Sequence, residues 1–278
     1  MAAVLQAASR ESLKSAEARL DDYVAVRGRK AADLQRLGDE LFAVTRLLVE
    51  QRPLRRLLAD PSTPELARTG LLERVLGKKV SAPTLEMAKA LVASRWSQVG
   101  DLVVAFESIA RQALLAAAEK DGSLDNVEDE LFRFGRVLNR EPQLATLLAD
   151  TNTPADKRVE LLDRLIEGKV SPITAALLRH TVRLPRARHL DVVCEELAEL
   201  AAARRDRSVA RVTTSVALTS EQEQKLTDTL SKLYGRSISL QVELDPRLLG
   251  GLVVRVGGEV IDGSVARKLA DARRALPS

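Results

Sequence analysis

Between Ser9 and about Asp206 apolar residues return every three or four positions, whereas beyond Asp206 they alternate with polar ones. The first period belongs to amphipathic helices sharing a core, the second to strands with one buried face. Ser9–Leu41 reads as one or two charge-rich amphipathic helices. After them the pattern repeats.

Asp39-Glu-Leu-Phe42 recurs as Asp129-Glu-Leu-Phe132, an offset of 90 (129 minus 39). At that offset Leu57-Leu-Ala-Asp60 becomes Leu147-Leu-Ala-Asp150, and Thr63-Pro64 becomes Thr153-Pro154. Arg68, Leu71, Leu72 and Arg74 return as Arg158, Leu161, Leu162 and Arg164, and Lys79-Val-Ser81 as Lys169-Val-Ser171. One gapless spacing over this length marks a duplication, with a period too long for one two-helix solenoid unit.

Each copy predicts four or five short helices. Pro53 and Pro142 lie near the end of the first of them. Thr63 and Thr153 stand as N-caps with Pro64 and Pro154 at the first helical position. Leu66, Leu71, Leu72 and Val75 then follow at helical spacing. Ser81 and Ser171 are the next N-caps, and the last helices run roughly Gln98–Glu119 and Ala187–Arg205. Asp121-Gly122-Ser123 breaks the chain between the copies.

The C-terminal module begins with the alternating runs Val212–Val216 and Ile238–Leu244. Between them Thr219-Ser220 with Gln222 and Glu223 forms a capping box, and the helix it opens carries Leu226, Leu230 and Leu233 before stopping at Tyr234-Gly235. Asp245-Pro246 ends the second strand, because proline cannot continue a central ladder. Leu252–Val256, flanked by Gly250-Gly251 and Gly257-Gly258, and then Val260-Ile261 predict two more strands. A final helix follows from about Asp262, with Val265, Leu269, Ala272 and Leu276 on its apolar side. The fold class is therefore α+β, mostly α: an N-terminal helical bundle extended by a second homologous helical segment, then a small C-terminal α/β domain. The expected divisions are residues 1–120, which hold the first copy (39–119), residues 121–206 for the second copy, and residues 207–278 for the α/β domain.

Composition narrows the function. Four Phe, two Tyr and one Trp in 278 residues leave the core to Leu, Val and Ala and supply no aromatic platform for single-stranded nucleic acid. The net charge of +4 comes from 43 basic and 39 acidic residues mixed along the chain, so no nucleic-acid partner is expected. The densest basic cluster, Arg204-Arg205-Asp206-Arg207, reads as a solvated helix end. Cys194, the one cysteine, excludes an intrachain disulfide and reads as a small buried residue. No apolar run approaches membrane-spanning length, and Met1-Ala-Ala-Val-Leu-Gln lacks a signal layout.

No catalytic, cofactor-binding or metal site emerges. His180 and His189 stand where the first copy has Ala90 and Val99, and Trp96 faces Arg186 in the second, so no such chemistry is duplicated. Gly250-Gly251 precedes a strand, whereas phosphate loops follow a strand and open a helix. The duplication preserves packing, which points to a structural or binding role.

Asp245, Leu248-Leu249, Gly250-Gly251 and the run Leu252–Gly257, followed by Val260-Ile-Asp-Gly-Ser-Val-Ala-Arg-Lys-Leu269, resemble the C-terminal signature of the delta subunit of bacterial F-type ATP synthase. That family is related to the mitochondrial oligomycin-sensitivity-conferring subunit. Its members have a six-helix bundle and a small C-terminal α/β domain, and both copies of the repeat are similar to the later helices of that bundle. The chain departs in length: 278 less the period of 90 leaves 188, close to an ordinary member. The resemblance implies a non-catalytic stator subunit without cofactor, peripheral at the cytoplasmic face of the bacterial membrane through its complex. Its helical part would bind N-terminal segments of alpha subunits, and its C-terminal part b-type stalk helices. The signature positions it implies are structural: Asp245, Gly250, Gly251, Val254, Gly257, Asp262, Gly263 and Ser264. The alternative is a helical protein–protein adaptor outside the ATP synthase.

Overall fold

The computed structural model describes residues 5–186, 189–234, 238–245, 247–248, 250–256, 259–265 and 267. It resolves into two compact units, Met1–Ala201 and Ala202–Ser278, in a mostly α arrangement with one small mixed sheet.

The helical unit opens with α1 (Ala7–Ala25), α2 (Ala31–Glu50), α3 (Arg52–Ala59), α4 (Glu65–Leu76), α5 (Ala82–Ala93) and α6 (Val99–Asp121). It continues with α7 (Leu124–Arg140), α8 (Pro142–Ala149), α9 (Ala155–Ile166) and α10 (Pro172–Arg183), while α11 (Leu190–Ser208) spans the boundary between the two units. Ninety residues relate α3 to α8, α4 to α9 and α5 to α10 end for end. Pro53 and Pro142 begin the short helices α3 and α8 rather than ending α2 and α7. A proline tolerates the first helical turn, where its missing N–H has no intrahelical partner anyway.

The sequence of α6 explains its place. Leu102, Val103, Phe106, Ile109, Leu114 and Leu115, with alanines between them, put apolar side chains on most of its circumference, and its buried polar residues include Glu107 and Arg111, which pair with each other, so the helix can be enclosed. α1, which precedes the first copy, packs on it together with α2, α3 and α5, and α7 and α10 pack on it from the second copy. Leucines and valines of both copies join one continuous core. Where α1 packs on α5, α6 packs on α10 one period later. Thus α6 closes the first bundle and takes the place of α1 in the second. At Gly38 the α2 backbone comes so close that an added Cβ would lie 2.8 Å from the Leu114 side chain.

Several boundaries and burials differ from expectation. Pro64 and Pro154 are themselves the N-cap residues, so α4 and α9 start one position later than the Thr-Pro pairs suggest. The Thr153 hydroxyl instead donates to Asp150 at 2.8 Å. Leu66 points away from the core at 86% exposure, since it stands two positions from Arg68, on the side of α4 opposite the buried row Arg68, Leu72 and Leu76. Arg204 is buried and so is not part of a solvated helix end. The last helix of the second copy begins at Leu190; Ala187 and Arg207's side chain lie outside the described residues.

In the second unit β1 (Val209–Thr214) pairs in parallel with β2 (Ser239–Leu244) and antiparallel with β3 (Leu252–Val256), which pairs antiparallel with β4 (Glu259–Asp262). The sheet order is β2-β1-β3-β4. The parallel pair needs a crossover, supplied by α12 (Ser220–Tyr234). Its start carries the capping box read in the sequence: the Gln222 side chain accepts from Thr219 N–H at 2.9 Å, and the Thr219 hydroxyl from Gln222 N–H at 3.3 Å. Leu226 and Leu230 meet Ala210, Val212 and Val254, while Leu233 is 65% exposed, off the packed face. β1 begins three residues before the expected Val212. Gly235, Pro246, Leu249, Gly257, Gly258, Leu269, Ala272 and Leu276 lie outside the described residues, so the final helix is seen only at its start, Val265.

Candidate functional site

The glycine-rich signature is built around the end of β1. Thr214, buried, accepts at its carbonyl oxygen from Asp245 N–H at 2.9 Å, and its hydroxyl donates to Val216 O at 3.0 Å, with Gly251 O a second, longer partner at 3.4 Å. Asp245 turns its carboxylate onto Arg247, accepting from the backbone N–H at 3.0 Å and from the guanidinium at 2.9 and 3.0 Å. These side-chain and backbone hydrogen bonds hold the Asp245 carboxyl below its ordinary value. Gly251 has φ of +82°, and an added Cβ would fall 2.5 Å from Gly263 O. Only glycine lets β3 begin that close to the turn after β4.

Two backbone bonds lace that approach: Gly263 N–H to Leu252 O at 2.9 Å and Val265 N–H to Gly250 O at 3.0 Å. Asp262 accepts from Ser264 N–H at 3.0 Å; hydrogen bonds from the Ser264 side chain and then its backbone hold the carboxyl below the usual range, and the Ser264 hydroxyl accepts from Arg267 N–H at 3.3 Å as a helix cap. Val254 sits buried between Val212 and Ile261. The structure therefore gathers Gly250, Gly251, Asp262, Gly263 and Ser264 at one corner, joins Asp245 to it through Thr214, and leaves Val254 in the sheet core. Gly257 lies outside the described residues. Thr214 is the member that sequence reasoning missed, because a threonine at a strand end carries no signal of its own.

In the helical unit the duplicated polar residues are side chains that cap helices. Glu40 of α2 accepts from Ser81 N–H at 2.8 Å, the Ser81 hydroxyl at 2.6 Å, the Thr84 hydroxyl at 2.6 Å and Arg36 at 2.8 Å. Burial opposes its ionisation, but the bonds from Ser81, Thr84 and Arg36 prevail and bring the carboxyl down to about 2. Glu130 of α7 repeats the arrangement, accepting from Ser171 N–H at 2.9 Å and the Thr174 hydroxyl at 2.5 Å. A carboxylate at a helix N-terminus satisfies donors that have no intrahelical acceptor. Arg68, also buried, serves the opposite ends: its guanidinium donates to Val92 O at 2.6 Å, Ala93 O at 3.2 Å and Leu58 O at 3.5 Å. Arg158 repeats the last contact with Leu148 O at 3.4 Å.

Two of the positions that differ between the copies lie where the copies meet. His180, opposite Ala90, stacks on Phe42 with ring centroids 3.9 Å apart and approaches Asp39 Oδ1 at 3.1 Å through Nε2. Burial lowers its pKa, and Asp39 opposes that. Arg186, opposite Trp96, bonds Glu107 of α6, which also pairs with Arg111. Cys194 is buried, and burial pushes its thiol up to about 12. His189 lines a shallow surface depression with Asn139 and Asp150. Among the described residues no group of three or more His, Cys, Asp or Glu is placed to hold a metal, and no helix is long and apolar enough to cross a membrane. A groove of about 370 Å³ between α7, α8 and α9 is lined by Phe134, Val137, Leu144, Leu165, Ile166 and Val170, with Arg133 and Lys169 at its rim. The described geometry is one of capping, lacing and helix docking.

Comparison with known proteins agrees with that character. The family model described as ATP synthase delta (OSCP) subunit matches residues 110–276. "ATP synthase subunit delta" of Streptomyces griseus subsp. griseus is 43% identical over 98% of this chain and 99% of its own length. "ATP synthase subunit delta" of Frankia alni is 44% identical over 98% and 99%. "ATP synthase subunit b-delta" of a Mycobacterium species (strain KMS) is 44% identical over 98% of this chain but 61% of its own length.

Proposed function

Because the chain belongs to the ATP synthase delta (OSCP) family, we propose that it links two specific partners within that complex, the N-terminal segments of alpha subunits and the b-type stalk helices. Its general role follows from the family: it is a non-catalytic peripheral-stalk subunit of the ATP synthase. The observation that carries this is identity of 43% along nearly the whole of both chains, which takes in the duplicated segment as well as the C-terminal module. A helical adaptor outside the ATP synthase is not favoured by relatives matched over that length.

In this reading residues 1–120 and 121–206 form the helical part that receives alpha-subunit segments, and residues 207–278 form the module that joins the b-type stalk. Amphipathic partner helices suit a helical surface with apolar grooves, and the relative whose name joins b to delta supports a b-type neighbour. Asp245, Gly250, Gly251, Val254, Gly257, Asp262, Gly263 and Ser264 act as structural residues that keep the stalk-binding module in shape. The subunit sits at the cytoplasmic face of the bacterial membrane and is held there by its complex. A stator resists torque through stiffness, and polar groups spent on capping rather than on chemistry serve that end.

Calorimetry of the full chain with an alpha-subunit N-terminal peptide and, separately, with a b-type helix tests the assignment. Saturable binding of both is expected. Failure to bind either one removes that partner, and failure with both removes the proposal.

A further inference from the structure

The contact between the two copies uses a stripe of α2 that the second copy repeats without using. Asp39, Phe42 and Arg46 recur unchanged as Asp129, Phe132 and Arg136 of α7. On α2 the stripe is covered by α10: His180 lies flat on Phe42 and meets Asp39, and Phe42 is 5% exposed. On α7 Phe132 is 51% exposed. Among the described residues, the ring contact at Phe132 comes from its own helix. The Arg136 guanidinium lies 5.9 Å from the Phe132 ring centre, and Arg133 pairs with Asp129. Pairs of this kind within one exposed helix are weak and easily exchanged.

The last helix of each copy differs in the same sense. α6 is buried through most of its length, whereas α11 presents Val192, Glu195 and Glu199 at the surface. We infer that the Asp129–Phe132–Arg136 stripe of α7 is a docking site for an amphipathic helix of a partner protein, one that lays a flat ring on Phe132 and carries a carboxylate for the arginines beside it. The protein itself shows the mode, since α10 occupies the same stripe on the first copy.

A second copy of this chain does not supply that helix. Its α10 is engaged on its own Phe42, and its α5 has Ala90 in place of His180 and is covered by α1. The charge follows from what changed between the copies. Ala43 and Glu50 of α2 become Arg133 and Arg140 of α7. Arg183 of α10, tolerated beside Arg46 with Asp39 and Glu50 near, would face Arg133, Arg136 and Arg140 on the second copy. A carboxylate at that position is the complementary choice. The inference rests on the internal repeat and stands whether or not the alpha and b partners above are correct.

The test uses the full chain and a fluorescent, helix-stapled peptide of residues 172–183 carrying Arg183→Glu, with the unmodified peptide as comparison. The Glu peptide is expected to bind saturably and more tightly than the unmodified one. Phe132→Ala in the chain should weaken it by about tenfold, the loss usual for a central aromatic anchor. Because Phe132 is half exposed, that variant keeps its fold, which its melting curve checks. Absence of saturable binding, binding indifferent to Phe132→Ala, or preference for the unmodified peptide would overturn the proposal. So would a chain dimer abolished by Phe132→Ala, which would give the stripe to a second copy instead.

Discussion

The carboxylate of Glu40 takes both the backbone N–H and the hydroxyl of Ser81, at 2.8 and 2.6 Å, so that one helix caps the N-terminus of another. Ser81 alone would be an ordinary N-cap. With Glu40 it becomes a tie between α2 and α5, and Glu130 ties α7 to α10 through Ser171 in the same way. The duplicated polar residues thus fix how helices of one copy are placed relative to each other, which is what a load-carrying subunit requires.

Glu40→Gln should therefore destabilise the helical unit by about 1–3 kcal/mol, the range for losing charge-assisted bonds to a part-buried acceptor. Urea unfolding at neutral pH measures it. The acid limb carries a second signature. Glu40 is depressed to about 2 in the folded chain, so its contribution is complete above the unfolded carboxyl value of about 4.3 and is lost as pH falls through about 2. Glu40→Gln should flatten stability against pH in that window. An unchanged acid limb would show that the cap contributes nothing.

Two glycines should respond to alanine with opposite signs. At Gly251 φ is +82° and the new Cβ meets Gly263 O at 2.5 Å, so Gly251→Ala should cost the C-terminal unit about 2 kcal/mol or more. Gly70 lies inside α4 with nothing within 4 Å of its would-be Cβ. Gly70→Ala should stabilise the helical unit by about 0.5–1 kcal/mol through helix propensity. Thermal melts of the two variants decide both signs.

Arg68 and Arg158 hold equivalent positions but different numbers of carbonyls. Arg68 reaches the ends of both α3 and α5, whereas Arg158 reaches the end of α8. Each leaves its buried Nε without a partner, a cost that both copies bear. Arg68→Met strands several carbonyls and should destabilise by about 2–4 kcal/mol, while Arg158→Met should cost about 1–2 kcal/mol. Equal losses in chemical denaturation would contradict the carbonyl-capping account.

Much of this fold is legible in the chain because periodicity and caps are local. The capping box at Thr219 and Gln222, the N-caps Ser81 and Ser171, and the break at Gly122 depend on residues a few positions apart. What satisfies those caps is not local. Glu40 stands far from Ser81 in the chain, and only the folding of α2 against α5 brings them together. Strand limits fail for the same reason. The alternation at Val212–Val216 continues the phase of Ala210, and the pairing of Val209 with Ser239 and of Thr214 with Leu252 decides where β1 begins and ends. His180 carried no duplicated pattern and so suggested nothing. Its meaning lies in that absence, since a residue unique to one copy can serve the contact between copies.

That contact predicts a pH response near neutrality. Burial against Phe42 favours the uncharged imidazole of His180, and Asp39 only partly offsets this, so its folded pKa lies below the ordinary value. Arg46 and Arg183 add to the depression, and Phe42 supplies the apolar wall. With the folded pKa lowered, the unfolded chain binds the extra proton more readily. The stabilisation is therefore complete above about pH 6.5 and falls as pH drops from there through the folded value. His180→Phe keeps a ring to stack on Phe42 and removes the titration. Melting temperature between about pH 7.5 and about pH 5 should then decline less in the variant than in the parent chain. A parallel decline in both would mean that His180 takes up its proton as readily in the folded chain as in the unfolded one, so that its burial against Phe42 makes no pH-dependent contribution to the contact.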